Sequence, residues 1–215
     1  LLKLPFYVIE SVAYLAYKFL QYRPYKVFRN SYFGENKIVF FSPSHHLREF
    51  TDRTKRGFWG EVKFLSDDVV DHGLWCLIPY KHKGSSHRKI ASEIKSIQLN
   101  SKLSVFPLAS LFGFGVFVSL VLTTCRLHFQ LVKSTFGLIN PKVGTLDASV
   151  LQNGFFGKNL AQTELNRILI TKFLRNMEKP RNVVTLMEGQ SWEIALIIQS
   201  MNFDIQCYGV IHTPV

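Results

Sequence analysis

The sequence predicts an open α/β fold whose sheet is mostly parallel and flanked by helices. Three observations carry that expectation. Two short β-rich apolar runs, Lys37-Ile-Val-Phe-Phe41 and Leu74-Trp-Cys-Leu-Ile78, each stop at a proline-bearing turn, the profile of strands buried on both faces. A helical pattern over 61–72 lies between them, and strand, helix and strand with short joins suggest a βαβ unit. Near the end of the chain, Val183-Val-Thr-Leu-Met187 and Ile205-Gln-Cys-Tyr-Gly-Val-Ile211 are strand-like and flank a helical run over 191–201. That connection is too long for a hairpin, so these two strands are expected to be parallel neighbours.

The other elements follow in order. Residues 4–22, within an N-terminal segment 1–30, form an amphipathic helix by the spacing of Ile9, Val12, Ala13, Ala16 and Leu20, and Arg23-Pro24 ends it. This helix packs on a core or lies on a membrane with Tyr14, Tyr17 and Phe19 near the interface. Residues 81–89 read as a basic loop and 90–99 as a helix. Residues 103–125 carry no charge and are flanked by Lys102 and Arg126, long enough to cross a bilayer. Pro107, Gly113, Gly115 and hydroxyl residues such as Ser110, Ser119, Thr123 and Thr124 dilute the run, and a span would divide one sheet across a membrane. The expectation is an apolar helical segment that is buried or dips into lipid. Residues 136–152 read as loop, and 160–177 as a helix with Leu165, Ile168, Leu169, Phe173 and Leu174 on one stripe. Residues 1–215 are thus expected to form a single lobe that closes on a βαβ unit over 180–215. A chain that starts on Leu1 and stops after a strand-like run reads as a piece of a longer protein.

Composition narrows the function classes. The 215 residues carry 26 Lys+Arg against 15 Asp+Glu, a net of +11, and 47% are hydrophobic, which excludes a disordered tail. Residues 1–102 hold 17 basic and 9 acidic side chains, a net of +8, leaving +3 for the rest. Such a basic half suits anionic lipid headgroups or phosphorylated substrates, or is a solvated surface. No nucleic-acid-binding motif accompanies the charge, so nucleic acid is not expected as a partner. The three cysteines are far apart and form no CxxC pair, which argues against a disulfide scaffold.

The last segment holds the candidate chemistry. Two parallel strands place Glu188-Gly189-Gln190 and His212-Thr213-Pro214 at adjacent carboxyl ends, where open α/β sheets bind ligands. Gly189 suits a tight strand-to-helix turn, and the amides at the helix start suit an anion. Glu188 is the candidate general base or orienting carboxylate, with His212 as its partner, a base or a phosphate contact. Against this stands a structural reading: Glu188 caps the helix, His212 is a strand-end histidine, Trp192 packs, and Glu193 complements the helix dipole. Other candidates are weaker. His45-His46 and His82 with His87 lack carboxylate or cysteine partners at supporting spacing, so no metal site is expected. Gly84-Ser85-Ser86 lacks a Walker ending, and Ser85 has no G-x-S-x-G context.

Glu188-Gly-Gln-Ser-Trp-Glu193-Ile-Ala-Leu-Ile197, followed by Gly209-Val-Ile-His212-Thr-Pro-Val215, resembles a bacterial family of surface-carbohydrate (capsule and O-antigen) biosynthesis proteins that look like GT-B glycosyltransferases. Upstream, strand 37–41, Phe58-Trp59-Gly60 and Trp75 match by pattern and order. The resemblance implies the Rossmann-like N-terminal lobe of a GT-B-type protein, with the second, nucleotide-sugar-binding lobe missing from this chain. It implies transfer of a sugar from a nucleotide-sugar donor, a co-substrate rather than a cofactor, to a glycan or lipid-linked glycan acceptor. Glu188 and His212 would be catalytic, with Gly189, Gln190, Ser191, Trp192, Glu193 and Thr213 contacting substrate. The place implied is the cytoplasm, peripheral at the inner face of the plasma membrane, with an anionic membrane surface as a further partner. Two other classes remain: a non-catalytic membrane-associated scaffold of polysaccharide assembly, and an integral protein with one span.

Overall fold

A computed structural model describes residues 4–29, 38–44, 73–80, 85–100, 103–138, 156–177, 182–187 and 190–211. The elements in chain order are α1 (Leu4–Gln21), a 3-10 turn (Arg23–Phe28), β1 (Ile38–Pro43), β2 (Leu74–Ile78), α2 (His87–Asn100) and β3 (Ser104–Pro107). A second 3-10 turn (Leu108–Leu111), α3 (Phe114–Leu138), α4 (Gly157–Asn176), β4 (Asn182–Met187), α5 (Ser191–Asn202) and β5 (Gln206–Ile211) follow. The five strands form one sheet in the order β3-β2-β1-β4-β5, and every neighbouring pair is parallel. The fold is therefore α/β and Rossmann-like, as the apolar runs and the long β4–β5 connection predict.

The chain divides into two compact units. One comprises Leu1–Gln21 and Phe112–Ile168; the other comprises Tyr22–Leu111 and Leu169–Val215 and contains the whole sheet. The sheet recruits only part of the apolar sequence, and the α1 and α3 helices pack on each other instead.

In the sheet unit, β1 is the central strand and its Val39, Phe40 and Phe41 are fully buried. Alternation sends Phe40 and Phe41 to opposite faces. Register places Phe41 beside Cys76 of β2, which in turn sits beside Phe106 of β3. Phe173, in the last turns of α4, covers that row, with ring centroids 5.4 Å from Phe41 and 5.6 Å from Phe106. On the other face Phe40 stacks on its register partner Trp75 at 4.4 Å with the planes 17° apart. Burial pushes the Cys76 thiol well above its ordinary range, so it stays protonated and unreactive.

In the helical unit, Ser11 lies 3.4 Å from His128 and the ring of Phe19 lies 5.2 Å from that of Phe117. As residue number rises on α1 it falls on α3, so the two helices run antiparallel. The start of α4 closes on both. Ser11 donates to the Gly157 carbonyl at 2.7 Å, and the Gly157 amide donates to Nε2 of His128 at 3.1 Å. Nδ1 of the same ring lies 2.7 Å from the Thr124 carbonyl, which fixes the neutral tautomer with its proton on Nδ1. Gly157 adopts φ +60, a backbone conformation that selects glycine, and a Cβ there would also displace the Glu10 carboxylate.

Several expected elements differ. The charge-free run 103–125 is not one helical segment. Its first residues form edge strand β3, Pro107 and Gly113 break the chain, and the helix starts at Phe114 and continues past Arg126. Val105-Phe106 pairs with β2 because a sheet edge satisfies its amides while Pro107 blocks a helix there. Residues 87–89, expected as loop, form the first turn of α2. On α1 the predicted stripe is not the buried one: Ser11 and Leu15 are buried, whereas Ile9, Ala13 and Leu20 are exposed. The expected helix over 61–72 lies outside the described residues. On α4, by contrast, Leu165, Leu169, Phe173 and Leu174 are buried as their spacing predicts.

Two outcomes follow from this packing. Phe40→Ala removes a fully buried ring and should cost about 3–5 kcal/mol of stability, read by urea unfolding. Gly157→Ala should lower the melting temperature clearly more than Gly115→Ala, where a Cβ meets nothing within 4 Å and the helical backbone favours alanine.

Candidate functional site

An all-parallel sheet gathers the carboxyl ends of its strands on one edge. Here the chain steps outward from β1 through β2 to β3, and in the opposite direction from β4 to β5. The reversal lies between β1 and β4, which pair from Ile38 with Asn182 to Phe41 with Thr185. A crevice opens outside the carboxyl ends at such a reversal, and ligands of open α/β folds bind there. At that edge β1 ends on Pro43 and β4 ends on Met187.

On the β1 side the edge is held by Ser44. Its buried hydroxyl donates to the Tyr80 carbonyl at 3.0 Å and accepts from the Tyr80 amide at 2.9 Å, tying the exit of β1 to the exit of β2. Farther along, buried His87 opens α2. Its Nδ1 lies 3.1 Å from the Tyr25 hydroxyl, and the Tyr22 ring meets it edge-on at 5.3 Å. Burial pushes the Tyr25 phenol well above its ordinary range. His87 is therefore embedded among aromatic rings and braces the 3-10 turn against α2. Sequence reading treated it as part of a basic loop, and missed Ser44 and Tyr25 entirely. Ser44 follows the Ser42-Pro43 strand stop, the one local signal that marks this strand exit.

On the β4 side, α5 starts three residues after Met187 is passed. Gln190 takes an extended conformation at the N-cap, its side chain makes no capping hydrogen bond, and its carbonyl accepts from the Glu193 amide at 3.0 Å. Gln190 and Ser191 are exposed, so of the predicted substrate contacts these two are open to a ligand. Trp192 is 6% exposed and Glu193 1% exposed. Trp192 belongs to the core, in line with its packing role. Glu193 is engaged inside the protein, in the first helical turn where negative charge is favoured. A polar bridge fastens α5 to α4: the Thr171 hydroxyl donates to Gln199 at 2.9 Å.

Four predicted site residues, Glu188, Gly189, His212 and Thr213, lie outside the described residues. Their chain neighbours are well defined. Met187 ends β4, Ile211 ends β5, and the two strands are in register to those last residues. At Gly209 a Cβ would approach the Met187 Cγ to 2.5 Å, so glycine makes room for the side chain that precedes Glu188. Burial raises the Cys207 thiol, partly offset by the Ser200 hydroxyl. Among the described residues no group of three His, Cys, Asp or Glu side chains stands together to hold a metal ion.

Comparison with family models, curated proteins and solved structures finds no match for this chain.

Two substitutions at this edge separate its scaffold from its surface. Ser44→Ala removes both of its hydrogen bonds to the Tyr80 backbone and should cost about 1–3 kcal/mol. Gln190→Ala, on an exposed cap that forms no side-chain bond, should change stability by less than about 0.5 kcal/mol. Chemical denaturation of both variants checks the contrast.

Proposed function

We propose that this chain is the Rossmann-like lobe of a glycosyltransferase. It moves a sugar from a nucleotide-sugar donor to a bacterial surface polysaccharide or its lipid-linked precursor, at the cytoplasmic face of the plasma membrane. The observation that carries the reading is the position of the β4–α5 junction. The residues between Met187 and Ser191 follow the strand next to the reversal of strand order, where this class of sheet binds ligands. The segment that begins there is the one whose letters resemble the surface-carbohydrate family.

Transfer with inversion requires removal of a proton from the acceptor hydroxyl as its oxygen attacks the anomeric carbon, while the nucleotide phosphate leaves. In this proposal the Glu188 carboxylate accepts that proton. The departing phosphate needs positive charge or amide donors, and the uncapped start of α5 offers donors beside exposed Gln190 and Ser191. His212, at the end of the neighbouring strand, contacts donor phosphate or acceptor.

Glu188→Gln in the full-length protein should lower transfer by ~10²–10⁴-fold with the circular dichroism spectrum unchanged. The assay is release of nucleotide diphosphate in the presence of acceptor. Unchanged turnover would remove Glu188 as the base, and a native fold without turnover in the parent protein would favour the scaffold reading.

A further inference from the structure

The geometry points to a lipid-binding face on the helical unit: the outer sides of α1 and α3 rest in the hydrocarbon of an anionic bilayer, parallel to its surface. This inference stands apart from sugar transfer and is read without any activity.

The argument begins with a reversal of polarity. A surface helix of a water-soluble domain buries its apolar stripe and shows water its charges. On α1 the exposed positions are Pro5, Phe6, Ile9, Ala13, Tyr17 and Leu20, which fall within a sector of about 120° and include no charge. Ile9 is 66% exposed, while the buried positions of the helix are Ser11 and Leu15. On α3, exposed Phe114, Val118, Leu122 and Phe129 lie within about 80° of one another. The inward side of the same helix carries Leu120 together with Thr124 and His128, all buried. Scattered exposed apolar residues are ordinary, but apolar rows on two paired helices are not. Hydroxyl and imidazole groups placed among the buried leucines, with hydrocarbon outside, match helices that face lipid.

The most apolar stretch of α3, Phe114–Leu131, is long enough to cross a bilayer, yet only 17% of it is buried, unlike the core helix of a soluble domain. Position excludes the crossing orientation. The start of α4 bonds to Ser11 and His128, near the middle of both helices. Exposed Lys158 and Asn159 follow it immediately, and Thr163 is exposed one turn later. A spanning pair would place that lysine near the centre of the hydrocarbon, which is costly. A pair lying flat buries the outer rows and leaves the start of α4, which bonds to their inner sides, in water. Charge fits the same orientation: Arg126 and Lys133 are exposed at one border of the α3 row, within reach of anionic headgroups by extending their stems.

The test uses the full chain and vesicles of phosphatidylcholine alone or with equal parts phosphatidylglycerol. The chain should float with the mixed vesicles and more weakly with the neutral ones. Ile9→Glu with Leu122→Glu changes two exposed positions, so the fold should persist, and apparent affinity should fall by ~100-fold. A polarity-sensitive dye on Phe129→Cys should shift to the blue on vesicle addition, whereas the same dye on Lys158→Cys should not; both are built on Cys125→Ser, Cys207→Ser. Four results overturn the proposal. They are absence of flotation, binding undiminished by the double substitution, a dimer that the double substitution dissolves in place of lipid binding, and a bound chain that resists alkaline carbonate.

Discussion

A parallel strand in the middle of a sheet must be covered on both faces, and β1 meets that constraint with two adjacent aromatic residues. Phe40 and Phe41 point to opposite sides, one onto Trp75 and the other under Phe173. With no polar residue to offer water over 38–41, the strand has no stable existence except between neighbours and beneath helices on either side. Parallel neighbours in turn demand long crossovers. From that one requirement follow the sheet order, the reversal between β1 and β4, and the gathering of strand exits on one edge.

The same edge shows how scaffold and surface divide the labour. Ser44 and the Tyr25–His87 pair are buried polar groups that bond to residues distant in the chain, so they hold strand and helix ends in place. Gln190 and Ser191 carry no such duty at the mouth of the α5 junction. Trp192 and Glu193, adjacent in sequence, turn inward instead. A motif of consecutive letters is thus split by helical geometry into two residues that meet solvent and two that meet the core.

Much of the fold was legible because the signals were strong and local. The runs at 37–41, 74–78 and 183–187 are unbroken, β-rich and bounded by turns, and no other element suits them. Strand β3 was not legible. Val105-Phe106 lies in a longer charge-free stretch, and hydropathy does not distinguish a four-residue edge strand from the beginning of a helix. For α1, spacing identified a helix but not which side is buried, since both sides carry apolar residues. The role of His87 depended on Tyr22 and Tyr25, over sixty residues away in the chain, and no local pattern announces such a meeting.

By itself the sequence determined the secondary elements with strong periodicity, the parallel character of the sheet, and the placement of the Glu188 and His212 segments directly after strands. These follow from residue-level hydropathy and from connection length, both of which are local properties. Only tertiary structure decided that β1 is central, that the helices α1 and α3 form a unit of their own, and which apolar residues on them stay exposed. Those outcomes depend on which surfaces find partners, and burial is a property of the assembled chain.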